Sequence, residues 1–292
     1  MSADNILEKV KELREITGVG FKDCKNAIDE TNGDIQKSID LLRTKGIAKA
    51  NKRMGRVAAE GIVCIHEKNN EFSMIEINSE TDFVAKNNEF IKFGEETSAL
   101  ALNNLGDLDK VLNSKMLNNK SVKDSLVDLI SKIGEKITLR RSSFINKGNN
   151  INFSYTHTAL KKNVGKLGVL LSLETTKKND EVLSNFGKNL SMHIAASAPL
   201  AIDKNGLNEE TIKKEKEIIT EELKNSGKES KIAEKIAIGK LNKFINENTL
   251  LNQDWIMEPK KKVKDILKEV AGNEKINIKK FVRFKVGEGI EN

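Results

Sequence analysis

The chain is poor in the residues that most often carry chemistry. It has two cysteines in 292 residues, Cys24 and Cys64, each among apolar neighbours. That is too few for a disulfide framework, and both read as small core side chains. Cys64-Ile-His66 offers two zinc-ligand types, but no second pair stands at a spacing that would complete a site, so no metal is expected. Aromatics are only 4% of the residues, which excludes a base-stacking surface for single-stranded nucleic acid. No apolar run approaches the roughly 18 residues of a membrane helix. The start, Met1-Ser-Ala-Asp-Asn-Ile-Leu-Glu8, lacks the basic and then apolar regions of a signal peptide. The expectation is a cytoplasmic protein that binds neither nucleic acid directly nor membrane.

Catalytic patterns are missing too. There is no Gly-x-Ser-x-Gly elbow, Walker loop or dinucleotide-binding glycine pattern. Gly287-Glu-Gly289 lacks the following helix that would cradle a phosphate. Of the three histidines, His66 alternates with apolar strand residues and His193 lies in an apolar helix beside Met192, so both read as packed side chains. His157, in Ser154-Tyr-Thr-His157, lies on a polar strand end and should be exposed. No enzyme and no cofactor are expected; the function is binding.

Charge is abundant but balanced. The net +7 is the difference between 50 basic and 43 acidic residues, mostly interleaved along helices. Arg140-Arg141, Lys161-Lys162, Lys260-Lys261-Lys262 and Lys279-Lys280 read as solvated faces. Two other classes remain open: a nucleic-acid or ribosome-surface binder resting on the basic excess, and a small-molecule enzyme resting on His157 and Cys64.

The length allows two or three domains, and the periodicities predict an α+β protein. Ile6, Val10, Leu13 and Ile16 have helical spacing up to Thr17-Gly18-Val19-Gly20. A second helix carries Asp23 to Ile28 and ends near Asn32-Gly33. Asp34 caps a third with Ile35, Ile39 and Leu42 inward. Residues 1–54 are thus a three-helix module, whose basic end Lys45-Gly-Ile-Ala-Lys-Ala-Asn-Lys-Arg53 reads as a mobile linker. Gly61–His66 and Phe72–Ile77 read as a hairpin about Asn69-Asn70. Helices follow near 88–103 and 121–133, then a strand over Gly134–Arg141. A weak repeat links Ile75–Glu80 and Phe93–Ala101 to Leu170–Glu174 and Phe186–Ala195. It predicts two related α+β subdomains, 55–141 and 142–292. The second is interrupted by an antiparallel helical hairpin (a coiled coil) over 203–248. There Asn208 is the cap, Ile212, Ile219 and Leu223 face Ile232, Ile236, Leu241 and Phe244, and Asn225–Lys228 forms the turn. At about 1.5 Å per residue that arm is on the order of 25 Å long. Strand returns over Ile276–Val286.

The most informative stretch is Ile77-Asn-Ser-Glu-Thr-Asp-Phe-Val-Ala-Lys-Asn87, which closes a strand and opens a helix. Local geometry favours a capped helix (Thr81 or Asp82) with Phe83 buried against its first turn. The repeat favours the opposite. Where the first copy has Thr81-Asp82-Phe83, the second has Thr175-Thr176-Lys177, so the unit does not require an apolar residue there. A rigidly mounted aromatic beside a carboxylate suits insertion into another protein.

These residues resemble the elongation factor Ts family, the nucleotide-exchange factors of bacteria and organelles. Val10-Lys-Glu-Leu-Arg-Glu-Ile-Thr-Gly-Val-Gly20 through Asp23-Cys-Lys25 and Asn32-Gly-Asp-Ile35 is similar to its ubiquitin-associated-type N-terminal module. Glu80-Thr-Asp-Phe-Val-Ala85, spanning Thr81 to Val84, resembles its most specific signature. Met192-His-Ile-Ala-Ala-Ser197 with Pro199, Trp255-Ile-Met-Glu-Pro259, and Phe281–Phe284 through Gly287–Glu291 are similar to later blocks. The resemblance implies a partner, elongation factor Tu, in GDP-bound and nucleotide-free forms. Thr81, Asp82, Phe83 and Val84 would all be partner-binding residues, Asp82 and Phe83 pressing on its G domain near the magnesium site. Arg14, Phe21, Lys22 and Lys25 would meet a G-domain helix, and His157, Ile256 and Met257 the GTPase's far domain. Ser79 stands where the family has cysteine, a small change that leaves the fold intact. Some relatives continue past the equivalent of Asn292 into a further helical module, which bears on the strength of the complex and not on its nature. Some relatives dimerise, so 1:1 and 2:2 assemblies, the latter a homodimer within a heterotetramer, both remain open.

Overall fold

The structure, a computed structural model, describes residues 3–177, 180–224 and 230–291. It opens with three helices, α1 (Ala3–Thr17), α2 (Phe21–Glu30) and α3 (Ile35–Arg53). Val10, Leu13, Cys24, Ala27, Ile28 and Leu42 make their small core, with Ile6, Ile35 and Ile39 against it. Gly18 (φ 65°) ends α1 in the left-handed region, its N–H donating to the Arg14 carbonyl at 2.7 Å. Ile16 shares the helical spacing but is exposed at the end of α1.

The expected mobile linker is instead the second half of α3. That helix lies on α7 (Val122–Ile133) so closely that a Cβ at Gly46 would stand 2.3 Å from Ser131 Oγ. Ala50 joins the main core, Arg43 pairs with Asp124 at 3.0 Å, and Arg53 donates to the Ile130 carbonyl at 3.4 Å. Gly46 and Ala50, four residues apart, mark the contact face. Small residues permit close helix approach while leaving the run polar in composition.

Beyond α3 lies one six-stranded antiparallel sheet made of two three-stranded halves. In the first, β1 (Glu60–Lys68) and β2 (Glu71–Ser79) form a hairpin. Its two turn residues, Asn69 (φ 53°) and Asn70 (φ 63°), take the left-handed region that suits the strand twist. Then come α4 (Asp82–Ala85), α5 (Asn88–Asn103), α6 (Leu108–Asn113) and α7, and β3 (Ile137–Ile145) returns beside β2. The second half repeats this plan. β4 (Asn150–Lys161) and β5 (Val164–Thr175) form the hairpin, helices intervene, and β8 (Ile276–Lys285) returns beside β5. Even the irregularities correspond: the ladder shifts between Glu76 and Ile77 in one half and between Ser172 and Leu173 in the other.

The halves join where Val63 and Cys64 pair with Gly165 and Val164. Alternation then sorts side chains between faces. Ile62, Cys64, Ile75 and Ile77 pack under α5, while Val63, Ile65, Phe72 and Met74 meet Leu170 and Phe284 of the other half. A Cβ at Gly168 would stand 2.7 Å from both Met74 Sδ and Val63 Cγ1, so glycine lets the halves touch. The Phe-Gly pairs of the repeat occupy matching places. Phe93 and Phe186 are buried, and the adjoining Gly94 and Gly187 press their helices, α5 and α8 (Glu181–Ser197), onto the sheet.

In the second half α8 is followed by α9 (Glu209–Lys224) and α10 (Ser230–Asn248), which pack side by side as an antiparallel pair. Asn208 accepts from the Glu210 N–H at 2.8 Å, and Ile212, Leu241, Phe244 and Ile245 pack at the base. Ile219 and Leu223 are buried as expected, but Ile232 is exposed. The Asn225–Lys228 turn lies outside the described residues. A small hairpin, β6 (Asp254–Trp255) and β7 (Glu258–Lys262), and α11 (Val263–Ala271) complete this half. The hairpin leaves no mark in the sequence periodicity, whereas Val263, Ile266, Leu267 and Val270 give α11 a helical spacing that sequence reasoning did not use.

Candidate partner-binding site

β2 is buried along almost its whole length, and the chain leaves the core at Glu80. The next helical turn, α4, presents one side to the core and the other to solvent. Val84, expected at the partner surface, instead sinks with Ala85 into the first core, and Phe83 points away with 79% of its surface in solvent. The buried-Phe alternative therefore fails. The other part of that reading fails with it: Thr81 stands at the N-cap position but makes no side-chain cap bond, its hydroxyl donating instead to Glu135 Oε1 at 2.6 Å. Asn87 caps the following α5, accepting from Glu89 and Phe90.

Asp82 lies beside the exposed ring, its carboxylate 2.7 Å from Lys86 Nζ. The hydrogen bond from Lys86, helped by the charges of Lys86 and Lys166, holds its pKa below the usual carboxylate range. The projection thus pairs a bare ring with a fixed negative charge. Two more apolar residues, Met54 and Val57, are exposed. They belong to the connector after α3, whose Met54 and Arg56 carbonyls both accept from Lys136 Nζ at 2.7 Å. Sequence reasoning passed over both, and their place after a run of small and basic residues gave no pattern to read.

The other site residues fall into two further groups. Arg14, Phe21, Lys22 and Lys25 are all exposed on the α1 end and α2. Phe21 and Lys25 share a helical face, and Phe21 shows 46% of its surface. The loop between these helices rests on α7: a Cβ at Gly18 would meet Lys132, which pairs with Glu89 at the start of α5. The last group lies in the second half. His157 is exposed near the β4–β5 turn, hydrogen-bonded through Nδ1 to the Tyr155 hydroxyl at 2.9 Å. Ile256 and Met257 form the tip of the β6–β7 hairpin and are exposed above a buried Trp255.

His193 supports that tip rather than serving as a base. It is fully buried, stacked on Trp255 at 5.3 Å, with Nε2 3.0 Å from Gln253 Oε1. The Gln253 amide donates to the Ser197 and Glu247 carbonyls, which leaves its oxygen to accept from His193 Nε2–H. Nδ1 then accepts from the Ile256 N–H at 3.4 Å. Burial holds its pKa below the ordinary histidine value. His66 is half-buried and is lowered by burial and by Lys68. Cys24 and Cys64 are free buried thiols, both pushed up by burial. Among the described residues, no group of His, Cys, Asp and Glu could hold a metal ion, and no helix is long and apolar enough to cross a membrane.

Arg140-Arg141 is not the solvated face expected of it. Both side chains close on the fully buried carboxylate of Glu76, Arg140 Nη1 at 3.1 Å and Arg141 Nε at 2.5 Å. Glu76 Oε1 also accepts from the Asn78 side chain and the Gly287 N–H, each at 3.0 Å. Arg140 donates onward to the Glu288 carbonyl and Arg141 to that of Lys285. One buried acid thus ties the chain's last turn, from the second half, to the first. Burial of a charge this deep requires such a full set of partners.

Comparison with known proteins follows the same outline. The family described as Elongation factor TS matches residues 80–288. Elongation factor Ts of Xanthobacter autotrophicus is 45% identical over 285 residues, covering 97% of this chain and 92% of that protein. The protein of the same description from Methylorubrum populi is 42% identical with the same coverage. That from Gluconobacter oxydans is 39% identical over 282 residues, again covering 97% and 92%.

Proposed function

This chain belongs to the elongation factor Ts family, and from that premise we propose that it is a guanine-nucleotide exchange factor for elongation factor Tu. It acts in the cytoplasm, during polypeptide elongation, by binding rather than by catalysing a bond change. The observation that carries the reading is Phe83, held almost bare in solvent by a turn whose next two residues are buried. A side chain placed so is poorly spent on its own fold and well placed to enter another.

The mechanism couples two binding equilibria. GDP is held by a loop around its phosphates and by magnesium, which neutralises them. Phe83, with the ionised Asp82 beside it, enters near the elements that hold the magnesium and displaces them; Thr81 and Val84 fix the approach. Nucleotide affinity then falls, and by linkage the exchange factor's affinity falls by the same factor when nucleotide returns. The final GDP-to-GTP ratio is left to the nucleotide pool. Arg14, Phe21, Lys22 and Lys25 seat the N-terminal helices, a ubiquitin-associated-like module over 1–54, on the G domain. His157, Ile256 and Met257 seat the second of two related subdomains, 55–141 and 142–292, on the GTPase's far domain. The α9–α10 pair, within 203–248, is a coiled-coil arm. Assembly with elongation factor Tu is 1:1 or, through a homodimer, 2:2.

Release of fluorescent GDP from elongation factor Tu tests the reading. The chain should accelerate release, and Phe83→Ala should lower that acceleration about tenfold or more, equivalent to ~1.4 kcal/mol or above. Release at the spontaneous rate in the presence of saturating wild-type chain would overturn it.

A further inference from the structure

We propose that Glu135 is a positioning residue for the Asp82-Phe83 projection, an inference that rests on the exchange reading above. Gly134 (φ 88°) ends α7 in the left-handed region and turns the chain so that the Glu135 carboxylate meets the end of β2. Its Oε2 accepts the Thr81 N–H at 3.0 Å and its Oε1 the Thr81 hydroxyl at 2.6 Å. Across the same junction the relation is reversed. Glu80 Oε1 accepts the Lys136 N–H at 2.6 Å, and Arg56 Nη1 lies 3.2 Å from both Glu80 oxygens. Two consecutive residues at the end of β2 and two consecutive residues before β3 therefore hold each other, each pair contributing one carboxylate and one backbone N–H.

The brace matters because of what it holds. α4 is four residues long and cannot sustain itself as a helix. Burial of Val84 and Ala85 fixes its far side. Its near side is held through Thr81, by Glu135 and by Ser79 Oγ, which donates to the Thr81 carbonyl at 2.9 Å. Thr81 directly precedes Asp82, so freeing it lets the acid and the ring swing while the fold beneath stays intact. Fixing a projecting side chain to within about half an ångström is what makes it productive.

The two bonds also specify the variants. Alanine at 135 removes both. Glutamine keeps both, since its oxygen accepts the Thr81 N–H and its amide donates to the Thr81 oxygen. Thr81→Val removes one bond without touching Glu135. The experiment follows GDP release from magnesium-loaded elongation factor Tu against concentration of the full chain. It reads the maximal rate and the half-saturating concentration separately. Glu135→Ala should lower the maximal rate about tenfold, inside the roughly hundredfold that a misplacement of about 1 Å can cost, with half-saturation moved by less than about threefold. Glu135→Gln should stay near wild type and Thr81→Val should fall between. In a Phe83→Ala background, Glu135→Ala should cost less than in wild type, because the ring it positions is gone and only Asp82 is left to misplace.

A wild-type maximal rate in Glu135→Ala, an equal loss in both backgrounds, or failure of Glu135→Gln to restore the rate would each overturn the proposal. If Glu135→Ala melts before the assay temperature, Thr81→Val against Thr81→Ser carries the same test, with a wild-type maximal rate in Thr81→Val overturning the proposal. Phe83→Ala separates the two levels. A slow Phe83→Ala beside a fast Glu135→Ala sinks the positioning role alone, whereas a fast Phe83→Ala sinks the exchange reading beneath it.

Discussion

Glu76→Gln tests the link between the two halves of the sheet. The substitution preserves volume but removes the charge that two guanidinium groups share. It also turns one acceptor oxygen into a donor. With the amide toward Arg141 Nε, two donors oppose each other at the present 2.5 Å; with it toward Oε1, the Gly287, Asn78 and Arg140 bonds lose their acceptor. Breaking a fully buried pair costs about 3–5 kcal/mol, but here the arginine side chains keep 26% and 31% of their surface in water and recover part of it. We take about 2–3 kcal/mol, which for a chain of this size lowers the melting temperature by roughly 5 °C. Calorimetry measures that fall, and amide hydrogen exchange at Gly287 should lose its protection at the same time. A melting shift under about 1 °C with Gly287 still protected would refute the assigned role.

Four further outcomes follow from packing, titration and exposure. Gly187→Ala would place a Cβ 2.4 Å from the Phe153 ring and should cost about 2–3 kcal/mol. Gly239→Ala, in α10 with nothing within 4 Å, should stabilise by about 0.5–1 kcal/mol; equal melting temperatures for the two variants would contradict the assigned environments. His193 binds a proton less readily folded than unfolded, so its contribution to stability is present above its ordinary pKa and is lost as pH falls below it. Melting temperature should therefore drop between pH 7 and pH 5, and a His193 ring resonance titrating at or above about 6.5 would argue against it. Phe83→Ala should leave the melting temperature within about 1 °C of wild type, because the ring is largely in solvent.

What the sequence made legible was local. Spacing of Val10, Leu13 and Ile28 reveals the first helices, Asn69-Asn70 the hairpin, and the two Phe-Gly pairs the repeated plan. Contacts between distant segments leave no such mark. Thr81 and Glu135 are 54 residues apart, and Glu76 and Gly287 are 211 apart, so an acid that anchors reads the same as one that solvates. The tail of α3 was misjudged because glycine and alanine, rather than large apolar residues, form its contact with α7. Ile232 was misjudged because its helical spacing implied a partner face it does not meet. Phe83 was readable as exposed only by comparing the two copies. Matching the ladder shifts sets Asp82-Phe83 against residues 178–179, outside the described residues, where the sequence has Lys178-Asn179. Neither is apolar, so the inference survives the change of register.

On the function proposed above, the Phe83 ring, with Asp82 beside it, couples this chain's binding to that of GDP. The most direct measurement is the dissociation constant of the chain for elongation factor Tu, nucleotide-free and loaded with magnesium and GDP, in wild-type and Phe83→Ala forms. Wild type should favour the nucleotide-free form by at least the roughly 5–150-fold typical of coupled sites, and Phe83→Ala should shrink that ratio towards one. A ratio unchanged by the substitution would contradict the account.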